Sequence, residues 1–415
     1  MRAEERDLRA EERDLRAEQR DFELEQRDFE LELEEDASRD EDEELQVGAF
    51  QALLQDRRKL VGGMAVFLLL VVAIYVVFPQ LVGLEDVARK LGDAVWYWVG
   101  LAIAFNVAAF AAYVALFRGV LSGTRDDAVH RRLDLKASYQ ITMAGLAATR
   151  IFSAAGAGGI VLTYWALRKA GMERRRSACR MVAFLTLTYA VYTLALLLFG
   201  ILLRTGVLPG DAPFAGTVVP AAVSGCLIAV FLLIALIPED VERRIYRVAG
   251  GYRRTRYLTR LAKGPATVAS GVRTAIHYVR HPSRGALAVT GALGFWAANI
   301  CVLWASFEAY GGDVPFAVLV QAFFLGMAAN VIPSPAGGVG SVDAGMIAAF
   351  VLFGIDEATV FAAVLTYRVI AFWLPIPPGV VAFFQLRNTV AGWERERADG
   401  VAAGHYTSKS KVMSG

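Results

Sequence analysis

Hydrophobic positions in this chain run in long blocks broken by short polar linkers, and eight blocks stand out, at roughly 61–78, 93–117, 138–166, 178–203, 215–237, 285–308, 314–354 and 358–384. Runs such as GGMAVFLLLVVAIYVVF and VVPAAVSGCLIAVFLLIALI approach or reach the roughly 20 residues that a helix needs to cross the hydrocarbon layer. The pattern predicts an all-α, polytopic membrane protein. A composition of 56% hydrophobic residues and a mean hydropathy of +0.43 agree with it.

The linkers differ in charge, and that orients the blocks. Those after 117, 166, 237 and 384 carry Arg118, Arg131, Arg132 and Lys136, then Arg168 to Arg176, then the stretch from Arg243 to Arg284, then Arg387 and Arg395. Those after 78, 203 and 308 are neutral or acidic. By the positive-inside rule the first group faces the cytoplasm, and Arg57, Arg58 and Lys59 put the N-terminus there too. A single span cannot join two cytoplasmic loops, so 138–166 is expected to enter the membrane and return. The same reasoning makes 314–354 enter and return from the other side.

Helix-breaking residues sit where these two segments would turn. The first reads ATRIFSAAGAGGIVLTYW, with Gly156, Gly158 and Gly159; the second reads NVIPSPAGGVGSVDAG, with Pro333, Gly337, Gly338 and Gly340. The expected architecture is therefore about six full spans and two oppositely oriented broken or re-entrant hairpins, forming an inverted repeat. Interrupted helices at matching places in two halves point to a midplane site, because non-helical backbone is tolerated at that depth only inside protein or beside a wet cavity. The plainer reading is that these glycines allow tight packing or a turn.

Charge divides the chain further. Residues 1–47 hold 8 Arg against 21 Asp and Glu, which leaves 35 basic and 20 acidic residues from the totals of 43 and 41. This head repeats every seven residues, but Leu8, Leu15, Phe22 and Phe29 and the second row of Ala10, Ala17, Leu24 and Leu31 are spaced two and five apart. A coiled-coil seam needs three and four. The expected domains are 1–47, an acidic cytoplasmic tail; 48–392, the membrane domain with a basic cytoplasmic loop at 238–284; and 393–415, a polar cytoplasmic tail. An amphipathic helix around 245–264 is expected to lie at the membrane surface and not to bind nucleic acid.

Ionisable residues inside apolar blocks are costly and tend to face protein or water. Arg150, Asp343 and Arg368 are the candidates. Asp343 is expected to neutralise one arginine, leaving the other for an anionic group such as phosphate, which the guanidinium fork suits. Asn299, Gln321 and Asn330 are candidates to line the cavity or to tie helices together, and Tyr164 and Tyr367 to meet substrate or to pack. Pro375, Pro377 and Pro378 are expected to bend or end a helix. Three scattered cysteines and four histidines in loops or tails give no metal spacing, and no P-loop, HExxH or GxSxG motif occurs. No cofactor is expected.

The stretch PSPAGGVGSVDAG from Pro333 to Gly345, followed by LTYRVIAFWLPIPPG from Leu365 to Gly379, resembles the signature of the flippase-like membrane domain family, which includes the transmembrane portion of lysylphosphatidylglycerol synthases. The segment TRIFSAAGAGGIVLTYWALRKAG from Thr149 to Gly171 is similar to the family's earlier motif. The family usually has Glu where this chain has Asp343, and commonly a proline near Phe152 to Ala154. The resemblance implies movement of lipids or lipid-linked compounds between leaflets of a prokaryotic inner or plasma membrane. It implies a transporter and not an enzyme, since the soluble aminoacyl-transfer domain is missing. The implied site residues are Gly158, Gly159, Pro333, Gly337, Gly338, Gly340, Asp343, Tyr367 and Arg368. The partner expected is a membrane phospholipid or lipid-linked substrate, with a protein partner or a second copy of the chain also open. The rival readings are a membrane scaffold or regulator, a small-solute carrier and an intramembrane lipid-modifying enzyme.

Overall fold

The computed structural model describes residues 94–121, 127–151, 157–236, 255–331 and 338–413. The acidic head, the apolar run at 61–78 and the first part of the basic loop lie outside the described residues. What is described is helical, with short connections.

In chain order the helices are α1 (Trp96–Leu121), α2 (Asp127–Arg132), α3 (Leu135–Ile151), α4 (Ala157–Lys169), α5 (Arg174–Arg204), α6 (Phe214–Ala235), α7 (Thr255–Arg280), α8 (Pro282–Glu308), α9 (Phe316–Ala328), α10 (Ser341–Leu352), α11 (Glu357–Arg368) and α12 (Ile376–Met413). Among the described residues five helical runs are long and apolar enough to span a membrane: α1, α5, α6, Gly285–Glu308 of α8, and the continuous rod Glu357–Arg397. Two shorter apolar helices, α9 with its 3-10 extension and α10, form the second broken segment. The first broken segment is α3 and α4. Gly158 and Gly159, expected at the first turn, lie within α4, whereas Gly338 and Gly340 precede α10.

Several boundaries have local causes. Asp134 Oδ1 accepts from Ala137 N at 2.7 Å and Asp356 Oδ2 from Thr359 N at 3.0 Å, so acidic side chains satisfy orphan donors at the starts of α3 and α11. Pro282 opens α8, where a missing N–H costs nothing.

The helix pair α1 and α8 forms the most extensive contact in the bundle, because glycines let the backbones touch. A Cβ at Gly119 would lie 2.3 Å from Ala288 N, and one at Gly291 would lie 2.4 Å from Leu116 N. Around this pair the contacts repeat: α3 packs along α12, α9 packs on α5, and each hairpin closes on itself. The symmetric contacts suggest a pseudo-repeat. Between α8 to α11 lies the main core, centred on Phe307, Phe323, Phe324 and Phe350.

Two features add to the sequence pattern, while the side chains expected at the membrane surface around 245–264 lie outside the described residues. The amphipathic helix α7 begins at Thr255 and runs to Arg280, and its Ala275 and Tyr278 bury against Leu116 of α1, Ala183 of α5 and Ala288 of α8. Arg180 donates to Val120 O at 2.8 Å and also meets the Tyr278 hydroxyl. The described part of α7 is thus docked on the bundle. The three prolines, in turn, do not end the last span: α12 continues past residue 392 into the polar tail.

Candidate functional site

The rod from α11 to α12 is interrupted by one wide π turn, Val369–Trp373. Its cause is Pro375. In a regular helix the N–H at position 375 would reach the carbonyl of Ala371, and proline has none. Leu374 N instead reaches back five residues to Val369 O at 2.9 Å, and the carbonyls of the turn need other donors.

Two side chains from distant helices supply them. Asn106 of α1 donates through Nδ2 to Ile370 O at 2.8 Å. Arg150, at the end of α3, donates through Nη2 to Ala371 O at 3.0 Å and through Nη1 to Phe372 O at 2.5 Å. Three consecutive carbonyls are therefore satisfied from outside the rod. π turns of this kind recur at functional sites.

Arg368, the last residue of α11, sits on the same turn and reaches the tip of the second hairpin. Its Nε lies 2.5 Å from Asp343 Oδ1, and its Nη2 donates to Gly338 O at 3.1 Å. Gly338 and Gly340 have φ of +100° and +85°, a region that residues with a Cβ adopt only with strain. The second carboxylate oxygen of Asp343 accepts from Gly340 N at 2.8 Å. One short acidic side chain thus closes the start of α10 and neutralises Arg368. Asp343 and Arg368 are both buried.

Phe372 joins the two arginines. The Arg150 and Arg368 guanidinium carbons lie 4.9 Å and 4.4 Å from its ring centroid, within the range of cation–π attraction. Beneath the ring, Val339 of the second hairpin packs with Phe372 and Ile376, and Ile151 of the first hairpin joins them. The two hairpin tips and the π turn therefore converge. The three ionisable groups sum to one positive charge, because Arg150 is held by neutral carbonyls and Arg368 by a carboxylate.

The structure sorts the remaining sequence candidates. Gly159 packs within the hairpin: a Cβ there would lie 2.4 Å from Gly145 O, so its reason is the close crossing of α3 and α4. Gly158 is its half-buried neighbour. Tyr367 points into the core, with its hydroxyl 3.4 Å from Asn299 Oδ1 and its ring against Phe323. Gln321 donates to Gly216 O at 2.9 Å and ties α9 to α6. Tyr164 is half-buried in the middle of α4, and Asn330 is exposed at the hairpin tip. Pro333 and Gly337 lie outside the described residues. The tip N–H of Gly340 serves Asp343, so it is not a free donor for a substrate.

Sequence reasoning missed Asn106 and Phe372. An asparagine inside the apolar run WYWVGLAIAFNVAAF was a usable signal, since a buried amide in a span needs a partner. Phe372 carried none.

Taken together, the broken hairpins and their shared charged centre define a multi-pass helical membrane protein with a buried ionisable site. The sequence profile of the lysylphosphatidylglycerol synthase transmembrane region matches residues 61–379, and the chain belongs to that family. It is also similar to proteins described as UPF0104 membrane protein from Methanothermobacter thermautotrophicus. One alignment is 30% identical over 96 residues, 23% of this chain and 28% of the relative. Another is 27% identical over 116 residues, 27% of this chain and 34% of the relative. These alignments span about a third of the curated relatives or less.

Proposed function

We propose that the protein moves an anionic lipid or lipid-linked compound between membrane leaflets, binding its head group where the two hairpin tips meet the π turn. Family membership supports lipid translocation in general. The observation that carries the anionic preference is the charge balance of the centre: Asp343 neutralises Arg368, while among the described residues Arg150 is held by the uncharged carbonyls of Ala371 and Phe372 and by the Phe372 ring. A phosphate that displaces those carbonyls gains a bidentate, charge-assisted contact. Arg150 is therefore the primary head-group ligand, and Arg368 orders the second hairpin around it.

In this reading the halves form an inverted repeat, the termini lie on the basic side of the membrane, and acyl chains stay in bilayer contact while the hairpins exchange access. Residues 48–392 act as the transporting domain and the acidic head is dispensable for it.

The test is leaflet exchange of acyl-labelled phospholipids in liposomes that hold the purified full chain or its Arg150→Gln variant. Exchange of phosphatidylglycerol faster than phosphatidylcholine, lost in a folded and inserted variant, is the expected result. Wild-type protein that is folded and inserted yet moves no lipid would sink the proposal.

A further inference from the structure

A second basic feature lies away from Arg150 and Arg368, at the end of the first hairpin where α3 begins. A cleft of about 450 Å³ is lined there by Arg131 and Arg132 of α2, Asp134, Lys136 of α3, and Trp393 and Glu396 of α12. Its size falls within the roughly 300–1,000 Å³ of small-ligand sites.

The acids of this cleft each have a partner. Asp134 caps α3 through Ala137 N, and Glu396 faces Arg132 at 3.8 Å. Arg132 also donates to Ala170 O at 3.3 Å. Arg131 and Lys136 are exposed and have no partner among the described residues. The lining sums to one positive charge, three cations against two carboxylates; Arg131 and Lys136 stand over a buried wall, Trp393, and the N-terminal end of α3 adds its positive dipole.

We infer that this cleft docks the phosphate of a lipid head group from the leaflet on the basic side of the protein. Depth supports a lipid source. Lys136 precedes Arg150 by 14 residues on the same helix, about 21 Å at 1.5 Å per residue, and half of the hydrocarbon layer is about 15 Å. When Arg150 lies near the midplane, Lys136 lies among head groups. Basic side chains beside a tryptophan are the usual lining of that layer, and a soluble phosphate has no use for the tryptophan wall.

The cleft is also joined to the central site. α3 reaches from the cleft to Arg150, and α12 follows the π turn that carries Phe372, with Thr389 donating to Gln140 Oε1 at 2.9 Å and Gly379 packed against Met143 and Ala147 along the seam between them. A head group docked at Lys136 sits at one end of the seam that leads to Arg150 and Phe372. The binding claim stands by itself, whatever the chain does with the lipid afterwards.

The experiment counts bound lipid by native mass spectrometry as the full chain, in neutral detergent, is titrated with phosphatidylglycerol or phosphatidylcholine. The Arg131→Gln/Lys136→Gln variant is expected to weaken phosphatidylglycerol binding about 30-fold, at roughly a fivefold contribution per cation, with its unfolding midpoint unchanged. In the wild type, phosphatidylglycerol bearing a photoreactive head group is expected to label the peptide around residues 131–137 or 389–396, which decides the matter even if the variant folds poorly. Labelling absent from both peptides, or equal affinity in wild type and folded variant, overturns the inference. So does binding of glycerol 3-phosphate alone as tightly as the lipid, which would make the cleft a soluble-phosphate site.

Discussion

Arg150 and Arg368 share a single aromatic ring, that of Phe372, although they come from different hairpins' neighbourhoods and carry the same charge. Among the described residues only Arg368 has a carboxylate, that of Asp343. The ring gives both guanidiniums a cation–π contact in a poorly solvated place, and the unequal pairing leaves Arg150 as the site of net positive charge. Changes at these few residues separate the ring, the ion pair and the backbone turn.

Replacing Phe372 by Leu removes both cation–π contacts, each worth about 0.5–2 kcal/mol, while retaining an apolar side chain. Unfolding of the purified protein in detergent is expected to become easier by about 1–3 kcal/mol, and Phe372→Tyr to recover most of that loss. Equal stability of the Leu and Tyr variants would show that the ring serves only as filler.

The Asp343–Arg368 pair is expected to behave as a coupled unit. Arg368→Ala alone leaves a buried carboxylate without its cation and should destabilise by about 3–5 kcal/mol. Adding Asp343→Ala removes the stranded charge, so the double variant should be more stable than the sum of the two single losses. Additive losses in a double-mutant cycle of unfolding free energies would show that the pair is not coupled.

Glycine at two positions is needed for different reasons, and alanine tells them apart. At Gly159 a Cβ would meet Thr149 Oγ1 and Gly145 O, so Gly159→Ala forces α3 and α4 apart and is expected to cost about 1–3 kcal/mol. At Gly340 a Cβ meets nothing within 4 Å, and the expected cost of about 1–2 kcal/mol comes from φ of +85°. Gly340→Asn should cost about what alanine does, since nothing crowds the site and φ of +85° with ψ of −53° lies outside the left-handed α region that asparagine tolerates, whereas Gly159→Asn should be worse than alanine. Asparagine worse than alanine at Gly340 but not at Gly159 would reverse these assignments.

The elements that were legible in sequence are those set by composition along the chain. Apolar length located the spans, and the segment 138–166, expected from its basic flanks to be broken, is two helices, one ending at Ile151 and the next starting at Ala157. Arg150, Asp343 and Arg368 stood out because charge is rare in such blocks. Their partners were less legible. Which arginine Asp343 meets depends on its place in the first turn of α10, where it also holds Gly340 N, and two candidate arginines existed. Tyr367 was ambiguous for a similar reason: its neighbours Asn299 and Phe323 are brought to it by helix packing. The π turn was hidden because proline announces a disruption without saying whether the helix ends, bends or widens. Here Asn106 and Arg150 supply the missing donors, so the rod continues.

That last relationship gives the most specific test of the site. Pro375→Ala restores an N–H beside Ala371 O, the carbonyl now held by Arg150 Nη2. Proline inside a helix costs about 3 kcal/mol relative to alanine, so the variant should unfold no more easily than the wild type. Yet the restored N–H competes with Arg150 for its acceptor and draws Val369–Trp373 toward a regular helix, which turns the following carbonyls away from α1 and α3. Leaflet exchange of anionic lipid should therefore slow while stability holds or rises, the pattern expected when a functional site keeps an unfavourable backbone. Liposomes prepared in parallel with wild-type and Pro375→Ala protein give the comparison, with circular dichroism to verify the fold. Unchanged exchange in a stable variant would mean that the carbonyls freed by the π turn, and the arginine they hold, take no part in moving the head group.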